Sequence, residues 1–317
     1  MVISEVCAYL QRSHGVIMDK TQISAIFGPM RLPFLILTPA CFLLGVATAV
    51  WSGSELNLFH LALVLIGAVS THISVNALNE YDDFKSGLDL KTEPTPFSGG
   101  SKALPDNPDK AHIGLITGLI TFVVAVLIGI YFIYVRGFWL LPLGAFGLII
   151  IATYTRWITK SPFLCLIAPG LGFGPLMVMG TDFVLTGSYS WTAFFASMVP
   201  FFLVSDLLLL NQFPDITADK SVGRKHFPII IGRKASVKVY GFFLVCTYIT
   251  VVLGYITGTL PVGAFLAFLS IILAIPTLRG VARHANDIPK LIPYMGKSVI
   301  IIIATPVLLA VGLFIGG

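Results

Sequence analysis

The chain has 317 residues, of which 56% are hydrophobic and only 11% charged, and its formal net charge is +5. A soluble domain carries about 25% charged residues, so this composition, with a mean hydropathy of +0.92, excludes a water-soluble enzyme, a disordered chain and a nucleic-acid-binding module. The 4 cysteines, Cys7, Cys41, Cys165 and Cys246, show no paired spacing, so neither a disulfide framework nor a zinc site is expected.

Residues 1–30 are mixed in polarity and lack a cleavable signal pattern, which predicts an interfacial leader. A bilayer core of about 30 Å takes about 20 apolar residues per helix. Such stretches follow at 33–51, 57–78, 112–135, 138–154, 162–184, 190–212, 238–258, 261–278 and 298–316. They are continuously apolar and do not alternate, which argues against a barrel. The expected fold class is all-α: a polytopic membrane protein of nine transmembrane helices forming a single domain over 1–317, with polar loops at 79–111 and 213–237. All of the 20 Lys and Arg except Arg136 fall in the N-terminal segment, the even-to-odd loops or the helix ends beside them. The excess of basic residues on the cytoplasmic side then places the N-terminus and the longer loops in the cytoplasm and the C-terminus outside. The positive charge is a record of topology, and no nucleic-acid partner is expected.

The acids gather where the second and sixth stretches run into their loops. The first group is Asn79-Glu80-Tyr81-Asp82-Asp83-Phe84-Lys85-Ser86-Gly87-Leu88-Asp89, and the second is Asn211-Gln212-Phe213-Pro214-Asp215-Ile216-Thr217-Ala218-Asp219-Lys220. If the helices continue, Asn79 and Asp83 share a face, as do Asn211, Asp215 and Asp219. Like charges at that spacing repel, and Mg²⁺ is the cation that carboxylate oxygens and substrate phosphates hold together. Two acidic faces at one membrane depth can bind Mg²⁺ bridging a diphosphate, with Lys85, Lys102, Lys220, Arg224 and Lys225 completing an anion site. No P-loop, dinucleotide fingerprint or His-Glu-x-x-His pattern is present.

In these motifs the sequence resembles the UbiA superfamily of intramembrane prenyltransferases. Asn79 through Asp89 is similar to that family's first Asp-rich motif, with Glu80 where an Asp is common and Asp82 added beside Asp83. Asp215-x-x-x-Asp219-Lys220 and Gly223-Arg224-Lys225 resemble the second. Arg31-Leu-Pro-Phe-Leu-Ile-Leu-Thr-Pro39 resembles the N-terminal signature, and Gly174 through Thr181, Thr186-Gly187 and Tyr154-Thr155 resemble the dihydroxynaphthoate branch. The resemblance implies nine helices around a central apolar cavity capped by cytoplasmic loops. It also implies a Mg²⁺-dependent transfer of a polyprenyl group from its diphosphate to an aromatic acceptor, 1,4-dihydroxy-2-naphthoate in this branch, on the route to a lipid quinone.

On that resemblance Asn79, Asp83, Asp89, Asp215 and Asp219 are the expected metal ligands, with Glu80 and Asp82 as further candidates. Asp83, Asp215, Lys85 and Lys220 carry the ionisation of the donor. Lys102, Arg224, Asn211, Tyr154, Lys160 and Asp206 join Asn79 in holding diphosphate or substrate. For Tyr154 and Lys160 an interface anchor and a topological charge are the plainer readings, and Asp206 can instead pair with a neighbouring helix. Backbone N–H groups of Thr95–Ser101 can surround phosphate or form a plain turn, and His72 is read as a hydrogen-bonded core residue. Other acceptors on the same fold (4-hydroxybenzoate, homogentisate or a prenylglycerol phosphate) and a terpene cyclase keep the ionisation step. An ion-coupled transporter is the non-enzymatic alternative, although its site is expected at the midplane.

Overall fold

The computed structural model describes residues 20–316, so residues 1–19 of the leader expected over 1–30 lie outside the described residues. Every regular element among the described residues is helical. Among the described residues eight helices are long and apolar enough to cross a membrane, and the fourth expected span, Phe138–Thr153, is a shorter apolar helix. In chain order the helices are α1 (Lys20–Met30), α2 (Leu37–Trp51), α3 (Leu58–Lys85), α4 (Ala111–Arg136) and α5 (Leu141–Thr153). They continue with α6 (Pro162–Leu171), α7 (Trp191–Ser221), α8 (Gly232–Ile256), α9 (Ile271–His284) and α10 (Ile288–Gly316).

Local chemistry sets the ends of the two helices that carry the acidic motifs. Asn57 caps α3 by accepting the His60 N–H at 3.0 Å, and Ser190 caps α7 by accepting that of Ala193 at 3.0 Å. Both helices then run past their apolar stretch, to Lys85 and Ser221, so the acidic motifs start as helical faces and pass into loops only afterwards. α6 does not stop at Leu171. It continues through a π-helical stretch, Gly172–Met179, into Gly180–Thr186, with Pro169 and Pro175 removing backbone donors along the way. Gly170 and Gly174 press this segment onto α7: a Cβ at Gly170 would stand 2.2 Å from the Phe201 carbonyl oxygen, and one at Gly174 would stand 2.5 Å from that of Ser197.

The leader differs from a helix lying loosely at the interface. In α1, Ala25 is fully buried, and Gly28 sits where a Cβ would meet that of Ala103 at 2.3 Å. The chain then turns at Arg31, whose φ of 52° is left-handed. A non-glycine residue there costs about 1 kcal/mol or more; a buried ion pair described below holds it in place. The helices enclose an apolar cavity of about 570 Å³, bounded by α2 to α7. It runs from Arg31, Asn79 and Tyr154 at the end bearing the acidic motifs to Val64, Phe132 and Leu140 near the other end.

Candidate active site at the acidic end of the bundle

The two motifs meet across a single guanidinium. Arg224 donates through Nη1 to Asp219 Oδ1 at 3.0 Å and through Nη2 to Asp83 Oδ1, so one side chain spans α3 and α7. Burial works against the charge of Arg224, but the adjacent carboxylates of Asp83 and Asp219 overcome it and hold the group above its ordinary range. Asp219 is fixed on its other side by His226, whose Nε2 lies 2.9 Å from Oδ2. Gly223, at φ 81°, makes the turn that returns Arg224 and His226 to the helix they follow. Sequence reasoning missed His226. The signal was present in Gly223-Arg224-Lys225-His226, a tight turn delivering an imidazole back onto Asp219.

The loop after α3 closes over this pair. Ser98 donates from Oγ to Asp215 at 3.5 Å, and the Gly99 N–H bonds to the same carboxylate. The Ser101 N–H donates to Glu80 at 2.9 Å, and its hydroxyl donates at 2.8 Å. The N–H groups of Gly99 and Ser101, offered by the sequence as a phosphate nest, therefore tie the loop to one carboxylate of each motif. Glu80 is fully buried and also takes the Arg31 guanidinium at 2.7 Å. All of its capacity goes to joining α1, α3 and the loop, which accounts for its departure from the common Asp without assigning it a metal. Asp82 points the other way, to the exposed Arg156 at 3.1 Å.

Asp89 lies in the loop, buried, with Oδ2 unpartnered among the described residues. Burial first, and then the charges of Glu80 and Asp83, push it up to about 7. Gly100, at φ 75°, makes room for it, because a Cβ there would stand 2.7 Å from Asp89 Oδ1. Gly100→Ala is therefore expected to strain the turn and displace Asp89. A loss of about 10-fold or more in Mg²⁺ affinity, with little change in helical content by circular dichroism, is the expected result; wild-type affinity would remove Asp89 from the site.

The other expected residues divide clearly. Asn79, Tyr154 and Asn211 line the cavity; Asn79 donates to the Thr155 hydroxyl at 3.0 Å, and Asn211 Oδ1 is buried without a partner among the described residues. Lys85, Lys160 and Lys220 are exposed, and Lys85 Nζ lies over the Tyr81 ring, 5.6 Å from its centroid. Lys102 spends its ammonium on the loop itself, donating to the carbonyls of Asp89 and Thr92 and to the Thr92 hydroxyl. Asp206 departs from the expected substrate contact: it is 1% exposed and absent from the cavity wall, although Val204, Leu207 and Leu208 line it. At 100° per residue, Asp206 falls on the face of α7 turned away from the cavity.

Among the described residues no three acidic, histidine or cysteine side chains converge as a closed metal cage would require. An all-oxygen donor set from Asp83, Asp89 and Asp215, with one orphaned buried oxygen, nevertheless fits Mg²⁺, which keeps several waters and shares its shell with substrate phosphate; Asp219 joins it only by exchanging one of its present partners, Arg224 or His226.

The UbiA prenyltransferase family signature matches residues 38–292. The chain is 30% identical over 238 residues to the 1,4-dihydroxy-2-naphthoate octaprenyltransferase of Bacillus subtilis, covering 74% of each protein. Its fold is similar to that of a UbiA homologue from Aeropyrum pernix, with a TM-score of 0.64 at 15% identity over 87% of this chain and 97% of the other. It is also similar to a homologue from Archaeoglobus fulgidus bound to DMAPP and Mg²⁺, with a TM-score of 0.52 at 15% identity over 90% and 99%. Carboxylates of two helices joined at one end of an apolar bundle, and a family match across most of the chain, agree: the chain belongs to the UbiA prenyltransferase family and is a multi-pass membrane prenyltransferase.

Proposed function

We propose that this enzyme transfers a polyprenyl group from its diphosphate to 1,4-dihydroxy-2-naphthoate, with Mg²⁺, at the cytoplasmic face of the membrane. The observation that carries the reading is the junction of Asp83 and Asp219 through Arg224, one helical turn beyond the cavity-lining Asn79 and two beyond the cavity-lining Asn211. The likeness to the Bacillus subtilis enzyme supports the acceptor, and the Archaeoglobus fulgidus complex supports a prenyl diphosphate with Mg²⁺. The concentration of Lys and Arg at the acidic end supports the orientation.

Asp83, Asp89, Asp215 and Asp219 would hold Mg²⁺, which when bound withdraws charge from the diphosphate and makes it a leaving group. Arg224 stands beside these carboxylates and supplies a fixed positive charge to the departing diphosphate. The loop Thr95–Ser101, pinned to Asp215 and Glu80, shields the reacting carbon from water. Below it the cavity receives the prenyl chain against apolar walls, while Asn79, Asn211 and Tyr154 present the polar groups at its mouth.

Purified protein in detergent, given Mg²⁺ and geranylgeranyl diphosphate, should yield a decarboxylated prenyl-naphthalenediol from 1,4-dihydroxy-2-naphthoate by mass spectrometry. Product from 4-hydroxybenzoate, homogentisate or a prenylglycerol phosphate instead would replace the acceptor. Pyrophosphate release with no acceptor would indicate a cyclase, and no release at all would sink the enzymatic reading.

The state of Asp89 adds a pH dependence. Its carboxyl titrates at about 7 without metal, and a ligand must be deprotonated to bind. Below pH 7 protons compete with Mg²⁺, so affinity should fall between pH 8 and pH 6, with proton release on binding visible by calorimetry in buffers of different ionisation enthalpy. A flat affinity across that window would contradict this assignment.

A further inference from the structure

His72 lies on α3, one turn before Asn76 and two before Asn79, and all three line the cavity. By helical rise it sits about 10 Å deeper than Asn79. Its Nδ1 lies 2.8 Å from the hydroxyl of Thr38, which is fully buried on α2. Its ring stands edge-on to Phe173 of the π-helical stretch, with centroids 4.7 Å apart. Among the described residues this bond to Thr38 is the only hydrogen bond of His72, so Nε2 is unengaged. The neighbouring amides are committed elsewhere: Asn76 donates to the Met30 carbonyl at 3.1 Å and Asn79 to Thr155. The charged group within electrostatic reach of the ring is Arg31, which faces the same cavity.

A hydroxylated aromatic acid entering this cavity brings an O–H into apolar surroundings, where leaving it unpaired costs about 1–3 kcal/mol. We propose that His72 carries its proton on Nδ1, donating it to the Thr38 hydroxyl, so that Nε2 accepts that O–H and the imidazole is a catalytic residue of acceptor activation. The inference rests on the aromatic-acceptor reading above. The ring carbon beside the hydroxyl forms its bond to the allylic carbon, and the allylic C–O bond breaks with its electron pair on the diphosphate. The hydroxyl proton passes to Nε2. The carboxyl group leaves as CO₂, its bonding pair restores the aromatic ring, and the oxygen recovers its proton from Nε2. Phe173 holds the imidazole plane so that the lone pair of Nε2 keeps one direction.

The test compares kcat/KM for the acceptor with the affinity for geranyl thiodiphosphate and Mg²⁺, a donor analogue that does not ionise readily. His72→Phe keeps a ring against Phe173 and removes both nitrogens. It should lower kcat/KM for 1,4-dihydroxy-2-naphthoate by about 10²-fold, with the loss confined to the acceptor. His72→Gln, which can still accept a hydrogen bond, should recover part of it. Thr38→Val, which frees the tautomer, should weaken the acceptor in the same direction and serves if His72→Phe does not fold. Unchanged acceptor kinetics in His72→Phe, or equal losses of acceptor and donor analogue, would overturn the proposal. Wild-type protein that transfers no prenyl group to any acceptor would instead overturn the functional reading on which it stands.

Discussion

Asp83→Asn is expected to lower prenyl transfer by about 10³-fold or more while the protein remains folded. Two effects act together. The substitution removes one of the carboxylates proposed to hold Mg²⁺, and preorganised charges of this kind are worth about 10²–10³-fold each when aimed at a developing charge. It also unfastens Arg224, whose Nη2 is anchored on Asp83 Oδ1, so the cation proposed to receive the diphosphate keeps only its bond to Asp219. Asp215→Asn acts on the opposite helix and should give a loss of similar order, because Ser98 and Gly99 then grip a neutral amide and the loop loses its hold on α7. Pyrophosphate release from geranylgeranyl diphosphate, with size-exclusion profiles alongside, checks both. Full activity in both variants would remove the carboxylates from the chemistry.

The largest effect on stability is expected at Glu80. Its carboxylate is fully buried, paired with Arg31 and hydrogen-bonded to Ser101. Removing one member of a buried ion pair strands the other, at a cost of about 3–5 kcal/mol. In Glu80→Ala the stranded group is Arg31, already in a left-handed backbone conformation, so α1 and the loop over the site lose their common anchor. The apparent melting temperature in detergent should fall well below that of wild type, and protease should cut first near 95–102. Glu80→Gln retains one acceptor oxygen for Ser101 and should be milder. Equal stability of Glu80→Ala and wild type would show that the pair contributes nothing to holding the loop.

The placement of the acidic faces was legible where a helical period governed it. Asn79 with Asp83, and Asn211 with Asp215 and Asp219, are spaced by a turn, and α3 and α7 do run through those motifs. Contacts between segments distant in sequence were not legible in the same way. Nothing near Glu80 in the chain announces Arg31 or Ser101, which lie 49 and 21 residues away, so a structural tie looked like a spare metal ligand. The lysines sit apart from the buried carboxylates for a related reason. Each helical position rotates a side chain by about 100°, so a step of two turns Lys85 toward Tyr81 while Asp83 faces inward, and a step of one leaves Lys220 exposed while Asp219 faces inward. Asp206 is the same case on α7. Lys102 shows a different limit, because a loop cation can be consumed by its own carbonyls. The π-helical stretch Gly172–Met179 left only Pro and Gly as traces, yet it carries Phe173 to His72.

The two acidic motifs are proposed to hold a diphosphate together through a divalent cation. Binding of geranyl thiodiphosphate to purified protein by isothermal titration tests it directly, with and without Mg²⁺, in wild type and in Asp83→Asn and Asp215→Asn. The account predicts binding that requires Mg²⁺ and is lost when either motif is altered. Tight binding without a divalent cation, or undiminished binding in both variants, would contradict it.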